Sequence, residues 1–397
     1  MQRSRLVKLS KAFFSPFFWI LYVCVGFIPR SQKIIVYGSP GERFSDNAKY
    51  AFLNNSLGGV KGVSHWWITG SASLEAELKR NGLNVAKRWS CKGVYLCIRA
   101  KEFHFSSYVS DVNFWVSRGA VKVNYWHGLP FKKIEYDIDV GPLSVRYNPR
   151  GWFERVWSLM LRFVSPAPAV KPDFLYSPHS FFDSKFVSAF RVSSDNLVKK
   201  RYPRVEYLMQ ANNKLERFAQ IGGPALDAEA WNAYSKVILY APTFRDANKN
   251  WISENVLDQA EVINRFLVES NSLLLIKPHP NELVHDDLSM YSNMVLLDSQ
   301  LDTYVVLRSV DILVTDYSSI SIDAAEAGLE VYLVWPDLYE YSADSRGFYF
   351  NMIDLYGDRY FNSMLECLET LVEGCGNKSV REILLSKMDS EVVSSGV

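Results

Sequence analysis

The chain has 397 residues, of which 48% are hydrophobic and 22% charged, and carries a formal net charge of +1. That length favours two folded domains over one, and the composition excludes a disordered or uniformly membrane-embedded chain. Near-neutrality leaves no global basic field, which argues against nucleic acid as a partner.

The charge is uneven along the chain. Residues 1–33 hold Arg3, Arg5, Lys8, Lys11, Arg30 and Lys33 with no acid, and between these flanks Ala12 to Ile28 is uncharged, apolar and interrupted by Pro16. The stretch lies at the short limit for a bilayer span, and no small-residue cleavage site precedes the strand-like KIIVYG. Residues 1–32 are therefore read as an uncleaved membrane anchor that spans the bilayer or lies in it. Cys24, Cys91, Cys97, Cys367 and Cys375 make an odd set without zinc-ligand spacing, which fits reduced thiols in a cytoplasmic compartment.

From Lys33 onward, KIIVYG, SHWWIT, VYLCIR, VKVNYW and DFLYSP are short apolar runs separated by helical or polar stretches. Such alternation implies an α/β fold with a parallel sheet and helices on both faces. Residues 73–80 read as one intervening helix, with Gly82 as its left-handed cap. Residues 150–164, RGWFERVWSLMLRFV, are dense in Trp, Phe, Leu and Met, with Arg155 and Arg162 on one helical face. That pattern suits a helix lying in a membrane interface, and equally one that covers its own domain's core. A second series of strands, VILYAP, LLLIKP, MVLLD, DILVTD and VYLVW, begins after Gly222-Gly223-Pro224. Gly and Pro punctuate there, so the domains are drawn as 33–224 and 225–397.

Three runs of the second domain end in reactive residues: Thr243-Phe244-Arg245-Asp246, Lys277-Pro278-His279-Pro280 and Thr315-Asp316-Tyr317-Ser318-Ser319. Ligands of parallel α/β sheets bind outside the carboxyl ends of the strands, so these clusters should converge on a site. Arg245 offers a fork for phosphate oxygens and Lys277 a point charge. Ser318 or Ser319 can cap a helix running through Asp323 to a terminating Gly328, and the expected ligand is a phosphate or diphosphate. Ordinary capping and loop hydrogen bonding are the plain alternatives for Ser318, Ser319, Asp316 and Asp323. In the first domain VKVNYW ends at His127-Gly128-Leu129-Pro130-Phe131-Lys132. His127 is placed to act as a general base near neutral pH, with Gly128 permitting close backbone approach. No paired carboxylates stand at metal-ligand spacing, so neither a metal nor a tightly bound cofactor is expected.

In chain order, FSDNAKY (44–50), HGLPFK (127–132), RYPRVEYL (201–208), YAPTFRD (240–246), KPHP (277–280), TDYSSISID (315–323) and RGFYFN (346–351) resemble the CDP-glycerol glycerophosphotransferase family, which includes wall teichoic acid primases, polymerases and capsule-synthesis enzymes. The resemblance implies a GT-B architecture, two Rossmann-like domains facing a central cleft, with the CDP-activated donor on the C-terminal one. It implies that His127 and His279 are the essential histidines and that Arg245, Ser318 and Ser319 serve the donor; Thr243, Lys277, Asp316 and Asp323 are assigned to the donor with them, and Gly128, Lys132 and Arg346 to positioning of acceptor or phosphate. Arg201 and Glu206 depart from the family's pattern. The implied reaction is transfer of glycerol phosphate from CDP-glycerol to a hydroxyl of a glycan or lipid-linked acceptor, releasing CMP, at the cytoplasmic face of the membrane. CDP-ribitol transfer, a GT-B glycosyltransferase using a nucleotide sugar, and an inactive membrane scaffold are the alternatives.

Overall fold

A computed structural model describes residues 2–59, 61–210, 213–224, 226, 228–245, 250–279, 282, 284, 287–338, 340–341, 347–373 and 378–394. The chain forms two compact units, Met1–Arg204 and Val205–Val397. In the first, strands β1 (Ser31–Gly38), β2 (Ser64–Thr69), β3 (Val85–Lys87), β4 (Ala100–Phe105), β5 (Val121–Asn124), β6 (Phe174–Tyr176) and β7 (Leu197–Val198) pair in the order β3-β2-β1-β4-β5-β6-β7, all parallel. In the second, β8 (Lys236–Tyr240), β9 (Ser272–Ile276), β10 (Met294–Leu296), β11 (Ile312–Thr315) and β12 (Glu330–Leu333) pair as β10-β9-β8-β11-β12, again parallel. Each order reverses direction beside its first strand, as in Rossmann-like units. The central strands are nearly continuous hydrophobic runs because helices cover both faces; Leu273 to Ile276 are at most 1% exposed.

Local signals set the boundaries. Ser71 caps helix Ala72–Arg80 by accepting from the Leu74 amide, and Gly82 takes φ +75° just past its end, as expected from the sequence. One strand expectation is corrected. VYLCIR belongs to helix Cys91–Arg99, which Ser90 caps through the Gly93 amide, and the strand is the following AKEFHF. A short apolar run cannot by itself distinguish a buried helix from a strand, and the charges in AKEFHF mask its alternation. The unit boundary also falls earlier in the chain than Gly222. Arg308 donates to the Tyr207 carbonyl and lies over its ring at 4.8 Å, which ties the segment after Arg204 to the second unit.

The N-terminal segment is helix Gln2–Val25. Among the described residues no helix is long and apolar enough to cross a membrane. The basic residues at 3, 5, 8 and 11 lie in that same helix. Its second half packs within the first unit. Val25 is buried in the core, and Trp19 and Tyr22 lean on Phe114 with ring centroids at 5.9 and 4.7 Å.

Candidate functional site

His127 stands just beyond the carboxyl end of β5, and it is exposed. The turn that presents it is tightly held. Trp126 takes φ +57°, a conformation costly for a bulky residue, and its amide donates to Asn124 Oδ1 at 2.8 Å. Asn47 Nδ2 donates to the Trp126 carbonyl at 2.9 Å, while Asn47 Oδ1 accepts from the Arg204 amide at 3.4 Å. Arg204 Nη1 then donates both to the His127 carbonyl, at 2.9 Å, and to the Asp46 carboxylate, at 2.8 Å. With the Arg204 side chain 4% exposed, this ion pair works away from water, where charge-assisted bonds are strongest.

Three segments distant in sequence, 44–50, 124–128 and 201–204, therefore meet at the backbone turn that carries His127. Sequence reasoning singled out His127 and quoted the other two segments, but assigned no role to Asp46, Asn47, Asn124 or Arg204. Gly128 is buried and Lys132 half-buried beside this turn in the chain.

In the second unit the expected convergence is present, because β9, β8 and β11 are neighbours and all parallel. Asp316, just past β11, accepts from the Thr243 amide and hydroxyl at 3.0 Å, so the ends of β8 and β11 are stitched together. Arg245, expected to offer a phosphate fork, is turned toward carboxylates of its own unit. Its Nε and Nη2 engage both oxygens of Asp337 at 2.9 and 3.1 Å, and Nη1 reaches Asp316 at 2.6 Å. Trp251 and Tyr341 rings lie 4.1 and 4.4 Å from the guanidinium carbon. Burial alone would lower the Arg245 pKa; the Asp316 and Asp337 carboxylates outweigh it and raise it, so the ion is firmly held. Asp337 and Tyr341 were not foreseen, since they come from the loop after β12.

Lys277 is likewise turned inward, 4% exposed, donating to the Pro278 and Ser299 carbonyls at 3.1 and 2.8 Å. His279 is half-buried against Phe244, ring centroids 5.3 Å apart, and Ser318 and Ser319 are half-buried at the start of helix Ile320–Glu326. Ser318 Oγ accepts from the Ile320 amide at 3.4 Å, and Gly328 closes the helix with φ +96°. Asp323 is fully buried and accepts from the Tyr304 hydroxyl, which makes it a brace inside the unit. Arg346, Asp246 and Pro280 lie outside the described residues.

The geometry is thus one exposed histidine held by a buried polar clamp in the first unit, and in the second a strand edge that presents His279 and two serines above a sequestered arginine. A family model described as CDP-glycerol:poly(glycerophosphate) glycerophosphotransferase matches residues 20–383. Among curated proteins, a teichoic acid poly(glycerol phosphate) polymerase of Bacillus spizizenii is 26% identical over 364 residues, covering 88% of this chain and 85% of that one. A teichoic acid glycerol-phosphate transferase of Staphylococcus aureus is 26% identical over 343 residues, covering 81% and 78%. Among solved structures, a variant of the wall teichoic acid polymerase TagF superposes with a TM-score of 0.69 at 19% identity, covering 98% of this chain and 91% of that one, which shows a shared fold.

Proposed function

Because the chain belongs to the CDP-glycerol:poly(glycerophosphate) glycerophosphotransferase family, we propose that His127 is the base of a glycerol phosphate transfer from CDP-glycerol to an acceptor hydroxyl. The chain is a glycerophosphotransferase of the kind that serves teichoic acid synthesis. The observation that carries the role of His127 is its exposure at the end of β5 on a turn held from behind by Asn47 and Arg204. Those bonds hold the backbone of the turn while the residue itself stays exposed.

An alcohol is a poor nucleophile at neutral pH. His127 takes its proton as the oxygen attacks the phosphorus bearing the glycerol; a new P–O bond forms, the diphosphate bridge breaks, and CMP leaves with the bridging oxygen. Charge developing on that oxygen is assigned to His279 and the Ser318 and Ser319 hydroxyls at the strand edge of the second unit. Arg245 and Lys277 act on the donor from behind, Arg245 by fixing Thr243, Asp316 and Asp337, and Lys277 by holding the turn between Pro278 and Ser299. The acceptor is proposed to be a glycerophosphate-bearing, lipid-linked glycan, and the enzyme to work at a membrane surface. Helix Gly151–Val164 supports the latter: it buries only Ser158 while Trp152 and Phe153 are 76% and 70% exposed.

The test is CMP release from CDP-glycerol, CDP-ribitol and UDP-sugars by the full chain in detergent with a lipid-extract acceptor. Release from CDP-glycerol, lost in His127→Ala with donor affinity kept, is the expected outcome. Equal loss of turnover and donor affinity removes His127 from the role of base, and UDP release overturns the donor assignment.

A further inference from the structure

The N-terminal helix and helix Gly151–Val164 meet along a seam. Trp19 Nε1 donates to the Phe163 carbonyl at 3.0 Å, and the two rings stack with centroids 6.2 Å apart. Beside that contact an open cleft of about 540 Å³ is lined by Trp19, Phe114 and Phe163 together with Lys122, Arg162 and Lys171, and none of its lining residues is acidic. Each cation keeps donors in reserve. Lys122 Nζ spends one on the Ala120 carbonyl at 2.7 Å, Arg162 Nη2 one on the Arg146 carbonyl at 3.3 Å, and Lys171 is exposed. Burial holds the Lys122 ammonium below its ordinary pKa, with the Asp173 carboxylate opposing, so an anion placed here would offset a desolvation already incurred.

The cleft is separate from the site of His127. Lys122 is the second residue of β5 and His127 lies past its carboxyl end, and His127 is not among the residues that line the cleft. The two helices that contribute to the cleft also expose apolar side chains: Phe17 on the N-terminal helix is 66% exposed, and Trp152, Phe153, Leu159 and Met160 are exposed on the other helix. An anion taken up between such surfaces carries its own apolar body, since aromatic faces flanked by cations fit the boundary between headgroup and acyl chain.

We propose that this cleft binds the anionic phosphate headgroup of an acidic membrane phospholipid, with Lys122, Arg162 and Lys171 on the phosphate and the exposed faces of the two helices immersed around it. This rests on the reading that those faces meet a membrane, and adds a defined headgroup site to it.

The test uses the full chain with vesicles of phosphatidylcholine alone, phosphatidylcholine with phosphatidic acid, and phosphatidylcholine with oleate at matched surface potential. Binding is expected to be tightest with phosphatidic acid. Lys122→Gln, Arg162→Gln and Lys171→Gln should each weaken that binding about fivefold, the ordinary worth of one cation at an anionic surface, and leave binding to phosphatidylcholine unchanged. Trp152→Ser with Phe153→Ser should weaken binding to all three vesicles. If the combined cation variant binds phosphatidic acid vesicles as tightly as the parent, or oleate serves as well as phosphatidic acid, the headgroup site is overturned while the membrane reading stands. If the parent binds no vesicles, both fall, and the apolar faces belong to a protein partner.

Discussion

Arg204 holds the backbone carbonyl of His127 at 2.9 Å with the same guanidinium nitrogen that pairs with Asp46 at 2.8 Å. One buried donor therefore couples the position of the proposed base to a residue far away in sequence. Replacing Arg204 by Gln breaks the pair and frees the turn. A displacement of the order of 1 Å at a reacting group costs about 100-fold in rate, so kcat for CMP release should fall by about that factor while KM for CDP-glycerol changes little. Arg204→Lys keeps a charge and three donors, and should recover part of the loss. A lowered midpoint of urea unfolding that accounts for the lost activity, with no rescue by Lys, would assign Arg204 to general stability instead.

The two folds were largely legible in the sequence, and the reason is the strands of the second unit. VILY, LLLI and ILVT are continuous apolar runs because both of their faces are covered, and each ends in polar residues where the sheet edge meets solvent. The same rule located His127. What the sequence did not reveal is partnership. The chain neighbours of Arg245 gave no hint of Asp337, which arrives from beyond β12. VYLCIR looked like the strand rather than a helix for a similar reason: composition reports burial, whereas the cap at Ser90 decides the conformation.

The Arg245 cluster makes an asymmetric prediction. Removing one partner of a buried ion pair leaves the other charge uncompensated and costs about 3–5 kcal/mol, whereas an apolar replacement of the whole set can approach neutrality. Asp316→Ala and Arg245→Met should each lower the midpoint of urea unfolding strongly, and the double variant should be less destabilised than the sum of the two. If Arg245 ligated phosphate directly, Arg245→Met would weaken CDP-glycerol binding with unfolding unaltered, which calorimetry and urea titration together would reveal.

Glu102 gives the first unit an acid limit. His104 Nε2 lies 2.9 Å from its carboxylate and the Lys101 ammonium 3.0 Å away, and these partners outweigh burial and hold its pKa down to about 2. The folded pKa is below the unfolded one, so the stabilisation is complete above the ordinary carboxylate range and is lost as pH falls toward 2. Glu102→Gln should be less stable than the parent at neutral pH, and the gap in thermal midpoint should close as the pH is lowered through that interval. A constant gap would show that the carboxylate's charge contributes nothing.

Asp111 acts in the opposite sense. Burial pushes its pKa up to about 7, against the amides of Ser107 and Tyr108, which both donate to Oδ2 at 2.9 and 3.2 Å and would lower it. Here the folded pKa lies above the unfolded one. The folded chain keeps a proton that the unfolded chain has released, so the contribution is full at acid pH, declines as pH rises, and is gone once pH passes 7. Because one oxygen accepts both amides, Asn at this position preserves the two hydrogen bonds through Oδ1 and carries no charge to bury. Asp111→Asn should therefore match the parent near pH 4 and exceed it by a margin in thermal midpoint that grows up to about pH 7 and then levels, since the unfolded carboxyl titrates near 3.9. A margin independent of pH would mean that the Asp111 carboxyl titrates alike in both states, and that its burial is relieved by solvent.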